Sequence, residues 1–238
     1  QQMGLNTEKP LSSLIMDQWT GLDGLVSNNL TSVNQTSSNF IWITTFNGIL
    51  RFDGVNFDLF DKSNIPFLSS NAFYKTFEDS KGNLWFCSQS SGVIKYSNHT
   101  FEQLLPDGAN SLSVRSICED RQGNLWFGTN NEGLYLYRDQ KLSKIDVKRF
   151  DLSIIMDIIA TKEGDIYIAT NSDGLLKYKN GDISKVTIKD GLNHNALNKL
   201  YLAKDGTIYV GSLDGLFYLR DNEKGEIDEL RGLNINDI

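Results

Sequence analysis

Five pairs of neighbouring residues carry the side chains in this 238-residue chain that are best suited to bind a polar ligand. They stand at one phase of an internal repeat: Thr31-Ser32, Tyr74-Lys75, Arg115-Ser116, Met156-Asp157 and Asn198-Lys199. The guanidinium of Arg115 can hold a carboxylate or a sulfate through two parallel hydrogen bonds. The ring of Tyr74 offers an apolar face on which a sugar can stack. We therefore predict a ligand site that includes Tyr74, Lys75, Arg115, Asp157, Asn198 and Lys199.

When the five copies of the repeat are aligned, the positions on either side of these pairs form columns of apolar residues, with Thr76 as the exception. Before the pairs stand Leu30, Phe73, Val114, Ile155 and Leu197, and after them stand Val33, Thr76, Ile117, Ile158 and Leu200. Structural positions keep their residue type from copy to copy, whereas the pairs vary, so the pairs are where individual specificity can lie. The alternative is a solvated channel, or an internal salt bridge with Asp157.

Turn residues supply a second group of candidates. The turn before each first strand and the turn between strands two and three meet at one end of the predicted fold. Of the amides and charges there, we predict that Asn130, Arg149 and His194 reach the ligand. The alternative is that these side chains are ordinary turn residues.

All of these residues are positioned by a sequence motif, or phrase, that is repeated five times. Its aromatic anchor falls at Trp42, Trp85, Trp126, Tyr167 and Tyr209, with spacings of 43, 41, 41 and 42 residues. A glycine follows at 48, 92, 133, 174 and 215. In the third copy, SVRSICED, LWFGT, LYLYR and LSKIDV alternate with turns, which gives four short strands in each repeat. This pattern predicts an all-β fold, a β-propeller of four-stranded blades.

The repeat divides the chain into five complete blades, at about 25–60, 68–105, 111–147, 152–188 and 194–230. Residues 13–20 are predicted to be a latch strand from another blade, and residues 231–238 the start of the next. The chain therefore reads as a single partial propeller. Exposed blade faces invite association, so we also expect self-association.

Composition excludes several kinds of partner. The formal net charge is −7, the pI is about 4.9 and no block of Lys or Arg occurs, so nucleic acid is not an expected partner. No apolar run approaches the roughly 20 residues of a membrane helix, so any membrane link is expected from downstream segments. Only His99 and His194 exist, and no catalytic motif is present, so we predict neither catalysis nor a metal or other cofactor.

Three residue sets have a structural and a chemical interpretation. Cys87 and Cys118 are predicted to be buried thiols, with a disulfide as the alternative. The anchor aromatics are predicted to fill the core between blades, rather than to form a sugar-binding platform. The Asp-Gly pairs at 205–206 and 214–215 are predicted to be turns, since the spaced carboxylates of a calcium loop are missing.

The phrase GNLWFGT…GLYLY and the elements GLVSNNL (24–30), GLNHNAL (191–197) and GLNINDI (232–238) resemble the two-component regulator propeller repeat. This resemblance implies an extracytoplasmic, periplasmic sensor domain of a bacterial hybrid two-component histidine kinase, and a parent propeller of about seven blades. It also implies a glycan-derived ligand, either a small molecule or an oligosaccharide. The alternatives are a propeller lyase or hydrolase acting on polysaccharide, a protein-interaction scaffold, and the sensor of a diguanylate cyclase.

Overall fold

The computed structural model describes residues 18–146, 154–220 and 223–237, and these form five four-stranded antiparallel sheets. Blade 1 contains β1 (Leu30–Gln35), β2 (Ile41–Thr45), β3 (Gly48–Phe52) and β4 (Phe57–Phe60). Blade 2 contains β5 (Phe73–Glu78), β6 (Leu84–Ser88), β7 (Val93–Ser97) and β8 (Thr100–Leu104). Blade 3 contains β9 (Val114–Glu119), β10 (Leu125–Thr129), β11 (Leu134–Arg138) and β12 (Lys141–Lys144).

Blade 4 contains β13 (Ile155–Ala160), β14 (Ile166–Thr170), β15 (Leu175–Lys179) and β16 (Asp182–Val186). Blade 5 contains β17 (Leu197–Leu202), β18 (Ile208–Ser212), β19 (Gly215–Arg220) and β20 (Glu223–Glu226). Short 3-10 turns lie at Gly21–Asp23, Ile188–Asp190 and Asp228–Leu230. None of the helical turns in these parts of the chain is long and apolar enough to cross a membrane.

Within each blade the strands pair in chain order, and the first strand of each blade contacts the first strand of the next. The strands β1, β5, β9, β13 and β17 therefore line a common axis. The described sheets form an open fan. The prediction of an all-β propeller of four-stranded blades is confirmed.

The core consists of four apolar clusters, one between each pair of consecutive blades. Trp42, Trp85 and Trp126 are buried in them, and Tyr167 is half-buried against the fourth cluster. The predicted packing role of these aromatics is therefore confirmed. Tyr209 is also half-buried, and its ring lies 6.5 Å from that of the exposed Tyr201.

Two indoles are fixed by buried carboxylates. The Nε1 of Trp85 donates to Asp79 and the Nε1 of Trp126 donates to Asp120, each at 2.8 Å. The same carboxylates accept hydrogen bonds from the turn that leads to the tryptophan strand. A hydrogen bond to a charged acceptor contributes about 1.5–3 kcal/mol, so these aspartates orient the anchors as well as satisfying them.

Every turn between strands two and three is closed by a buried hydroxyl. The hydroxyl belongs to Ser or Thr three residues after the anchor, and it donates to the carbonyl of the turn glycine at 2.7–3.0 Å in each blade. All five glycines have positive φ. At Gly92 a β-carbon would also approach the carbonyl of Leu104 too closely, so both conformation and space require glycine.

The prediction that both cysteines are buried thiols is confirmed in the described structure. Cys87 and Cys118 are buried and free, so the disulfide alternative is wrong. Burial raises the pKa of Cys87 to about 12 and raises the pKa of Cys118 as well. His99 is exposed in a turn with φ of 62°.

The outer faces of the fan carry exposed apolar side chains. Val33 is 57% exposed, whereas its counterparts in blades 2 to 5 are at most 5% exposed. On blade 5, Tyr201 and Leu213 are 47% and 46% exposed. The expected self-association remains a prediction. Most of the predicted latch strand (13–17) lies outside the described residues, and residues 231–237 form no strand.

Candidate functional site

A β-bulge at the same position of all five inner strands creates the site. Between the first and third residues of each inner strand, the partner strand advances by only one residue. The extra residue in the five bulges is the first member of each variable pair: Thr31, Tyr74, Arg115, Met156 and Asn198. A bulge re-aims side chains that regular alternation would send to opposite faces. It explains why two polar columns stand side by side between apolar ones.

These side chains surround a cavity of about 290 Å³ on the axis, here called the axial pocket. Its lining is Thr31, Ser32, Phe46, Tyr74, Lys75, Arg115, Met156, Asp157, Asn198, Lys199 and Asn236. Nine of the ten residues in the variable pairs thus line one cavity. The tenth, Ser116, is fully buried in blade 3.

Small residues on the second strands allow the inner strands to converge. Opposite the second member of each pair stand Thr44, Cys87, Gly128, Ala169 and Gly211. At Gly128 a β-carbon would overlap the side chains of Ile155 and Ser116. At Gly211 it would lie 2.8 Å from Cγ2 of Ile235. The size of this column therefore sets how closely each blade approaches the next.

An ion pair crosses the axis between two blades that are not neighbours. The Nζ of Lys75 in blade 2 lies 2.7 Å from Oδ1 of Asp157 in blade 4. Asp157 is only 3% exposed, and its Oδ2 accepts a hydrogen bond from the backbone nitrogen of Leu200. Burial by itself would lower the pKa of Lys75, but the charge and hydrogen bond of Asp157 outweigh it, so this pKa is raised.

Arg115 lies on the ring of Tyr74. The guanidinium carbon is 4.9 Å from the ring centroid, which is a cation–π geometry. Tyr74 also contacts the ring of Phe46 edge to face at 5.9 Å. Arg115 forms no ion pair with any residue in 18–146, 154–220 or 223–237. The alternative of an internal salt bridge with Asp157 is confirmed, but its partner is not Arg115. That carboxylate binds Lys75.

The segment 234–237 lies beside the axial pocket and contributes Asn236 to its lining. The Nδ2 of Asn198 donates to Oδ1 of Asn234, to the carbonyl of Ile235 and to Oδ1 of Asn236, at 2.8, 3.1 and 3.2 Å. The Nζ of Lys199 lies 3.1 Å from Asp237 and 3.9 Å from Asp157. The amide nitrogen of Asn198 is therefore satisfied within the protein.

The three candidates from turns have different outcomes. Asn130 is not part of the lining but contacts it, since its Nδ2 donates to Tyr74 Oη at 3.4 Å and to Ser113 Oγ at 2.7 Å. His194 is outside the lining, because its Nδ1 accepts a hydrogen bond from the nitrogen of Ala196 and stabilises the turn. Arg149 lies outside the described residues.

Sequence reasoning missed Phe46 and Asn236. Phe46 stands four residues after the anchor, where the other copies have Gln89, Asn130, Asn171 and Leu213. An aromatic residue in a turn that is otherwise mostly polar was the available signal. Asn236 had no such signal, since its approach to the pocket depends on the path of the chain after blade 5.

The described residues offer no group of three or more His, Cys, Asp or Glu side chains placed to hold a metal ion. The pocket instead offers hydrogen-bond donors, one aromatic ring beneath a guanidinium and the apolar side chains of Met156 and Phe46. Such a surface can bind and orient a small polar molecule.

Comparison with known proteins agrees with this architecture. Residues 108–131 match the family model described as a two-component regulator propeller. The match covers the connection into blade 3, β9 and β10, including the phrase GNLWFGT, so the resemblance drawn from that phrase is confirmed. No curated protein matches the chain significantly by sequence.

Solved structures share the fold. The extracellular domain of a protein assigned as a hybrid two-component system of B. thetaiotaomicron has a TM-score of 0.73 at 23% identity, over 83% of this chain and 28% of its own. The extracellular domain of a protein assigned as a one-component system of the same organism has a TM-score of 0.73 at 18% identity, over 88% and 32%. The virginiamycin B lyase of Staphylococcus aureus has a TM-score of 0.72 at 13% identity, over 83% and 69%.

These identities show the propeller fold alone. The chain spans less than a third of the length of the two extracellular domains. It therefore corresponds to a part of proteins of that kind.

Proposed function

We propose, because the chain carries a two-component regulator propeller repeat within a fan of propeller blades, that it is a ligand-sensing part of an extracytoplasmic bacterial sensor. The sensor binds a glycan-derived ligand and relays the signal to a histidine kinase. The similar extracellular domains of B. thetaiotaomicron belong to proteins assigned as hybrid two-component and one-component systems, which supports a sensor role and a periplasmic location.

One observation carries the binding role. The two neighbouring positions of the inner strands that vary among the five repeats converge on one cavity, while in blades 2 to 5 the positions beside them are buried. Packing alone gives no reason for this contrast, because equivalent positions in a repeat meet equivalent neighbours. A cavity lined by unlike residues suits an asymmetric ligand.

The size and chemistry of the cavity support a small, hydroxyl-rich ligand or the terminal unit of a larger one. Its volume of about 290 Å³ is near the lower end of the roughly 300–1,000 Å³ range of ligand pockets. Amide, hydroxyl and ammonium groups alternate with Met156 and Phe46 around it. This mixture of groups complements a sugar, which has polar edges and apolar ring faces.

The residues of the pocket can be compared with those that one alternative function, a glycosidase, would need. Glycoside hydrolysis ordinarily needs two carboxyl groups on either side of the bond. Among the described lining residues only Asp157 has a carboxylate, and Lys75 and the nitrogen of Leu200 already bind it. The sensor therefore fits this pocket better than the hydrolase.

Isothermal titration calorimetry with a library of neutral and acidic glycan fragments tests the proposal. We expect a fragment with micromolar affinity whose binding is lost in Met156→Trp, which fills the pocket, and weakened at least tenfold in Tyr74→Ala. The control is Tyr201→Ala, since Tyr201 lies exposed on the outer face of blade 5. Binding that survives both pocket variants, or no binding of any fragment, would overturn the proposal.

A further inference from the structure

The axial pocket has a charge opposite to that of the chain around it. Its described lining contains three cationic side chains, Lys75, Arg115 and Lys199, and one carboxylate, Asp157. The whole chain has a formal net charge of −7. A cationic concavity attracts anions and repels cations, since the low-dielectric walls focus its field.

The one carboxylate in the described lining of this pocket is already occupied. The two oxygens of Asp157 are bound by Lys75 and by the nitrogen of Leu200. The Nδ2 of Asn198 is also in use, since it donates to Asn234, to the carbonyl of Ile235 and to Asn236. Among the charged groups of the described lining, the unused hydrogen-bonding capacity therefore belongs to the cations, so the matching ligand brings acceptor oxygens.

Arg115 supplies most of these unused hydrogen-bond donors. Its guanidinium packs on Tyr74 at 4.9 Å, which fixes the plane of the fork and leaves its edge N–H groups unused by any described residue. A fork that is pre-oriented in this way loses less entropy when it binds a planar or tetrahedral anion. The two cationic neighbours differ from it, because Lys75 is paired with Asp157 and Lys199 with Asp237.

We propose that the axial pocket recognises a ligand that carries a carboxylate or sulfate group, held by the guanidinium edge of Arg115 above Tyr74. Met156 and Phe46 contact the carbon skeleton of the ligand, and Lys75 adds attraction without becoming unpaired. This inference rests on the proposed ligand-sensing role and narrows it to acidic ligands.

The test compares three matched probes by calorimetry on the intact chain: glucuronic acid, glucose 6-sulfate and glucose. We expect at least one of the two anions to bind and neutral glucose to bind at least tenfold more weakly. Added salt should weaken the anion, because the attraction is partly screened. Which of the two anions binds more tightly separates a carboxylate source from a sulfate source.

Arg115→Gln should reduce anion binding at least tenfold, and Arg115→Lys should recover only part of it because the fork is lost. Arg138→Gln, on the exposed side of blade 3, is the matched control and should bind as the parent does. Thermal unfolding of each variant separates lost binding from lost folding.

Two results would overturn the proposal. The first is equal binding of glucose and the anions, or failure of both anions to bind at about 10 mM, which is beyond the range of even millimolar affinity. The second is anion binding that Arg115→Gln leaves intact. A third result would separate the two proposals. If a neutral glycan fragment bound, and Met156→Trp abolished its binding but Arg115→Gln did not, the acidic-ligand proposal would be wrong and the sensor role would remain supported.

Discussion

Lys75 in β5 and Asp157 in β13 meet across the propeller axis at 2.7 Å, although 82 residues separate them in the chain. The pair joins blade 2 to blade 4, which are not neighbours in the fan. It lies in the lining of the axial pocket and links two blades that share no apolar cluster. The free energy of unfolding of the whole fan should therefore depend on this pair.

Asp157→Asn should destabilise the protein. The change leaves the ammonium of Lys75 largely buried without its counter-ion, and removing one partner of a buried pair costs about 3–5 kcal/mol. Because the Lys75 side chain is 25% exposed, we expect a smaller loss in the free energy of unfolding, about 1–3 kcal/mol. Urea denaturation at pH 7 measures it.

The control for this change is Asp182→Asn, at the exposed start of β16, which should alter the free energy of unfolding by less than about 0.5 kcal/mol. Lys75→Met combined with Asp157→Asn should be more stable than the sum of the single changes predicts. Asp157→Asn with unaltered stability would mean that the pair contributes nothing.

Ionisation of the two cysteines should make the free energy of unfolding fall as the pH rises. An unfolded thiol loses its proton near pH 8.5, whereas burial raises the pKa of Cys87 to about 12 in the folded protein. Between these values the unfolded state binds fewer protons and gains stability. In this range each buried thiol should lower the free energy of unfolding by about 1.4 kcal/mol per pH unit.

Urea denaturation of the parent and of Cys87→Ala/Cys118→Ala between pH 7 and 10 measures this slope. The Lys75 contribution is constant in that window, since its raised folded pKa means that it is lost only above the unfolded value of about 10.4. The variant should show a flatter profile. Parallel profiles would show that the thiols ionise equally in both states.

Gly128→Ala should weaken the contact between blades 3 and 4. The new β-carbon overlaps Ile155 and Ser116, and overpacking of a well-packed core costs about 1–3 kcal/mol. Ile155→Leu removes the branched methyl at nearly constant volume, so the double variant should recover part of the loss. Thermal and urea unfolding provide the measurement.

Gly21→Ala is the control for this prediction. Gly21 has open space where its β-carbon would lie, so this change should be nearly neutral. If Gly128→Ala proved as mild as Gly21→Ala, the small column would not set the spacing of the blades.

The blades themselves were predictable from the sequence. The strand–turn–strand phrase returns every 41–43 residues, and each return brings an anchor aromatic and a turn glycine. Strand alternation, turn propensity and repeat length are local properties, so they survive without knowledge of the partner blades. The two variable columns were visible for the same reason, because the alignment of repeats exposes any position that does not obey the common pattern.

The tertiary structure alone decided how the variable residues are used. The bulge that turns both members of each pair toward the axis is a consequence of strand register, which the residue types do not specify. The pairing of Asp157 with Lys75 rather than with Arg115, and of Arg115 with Tyr74, depends on side chains brought together from blades 41 or more residues apart. His194 was equally suitable by type, yet its turn holds it away from the pocket. Local periodicity thus determines the blade, whereas the angle between blades, set by small residues such as Gly128, determines which side chains meet at the axis.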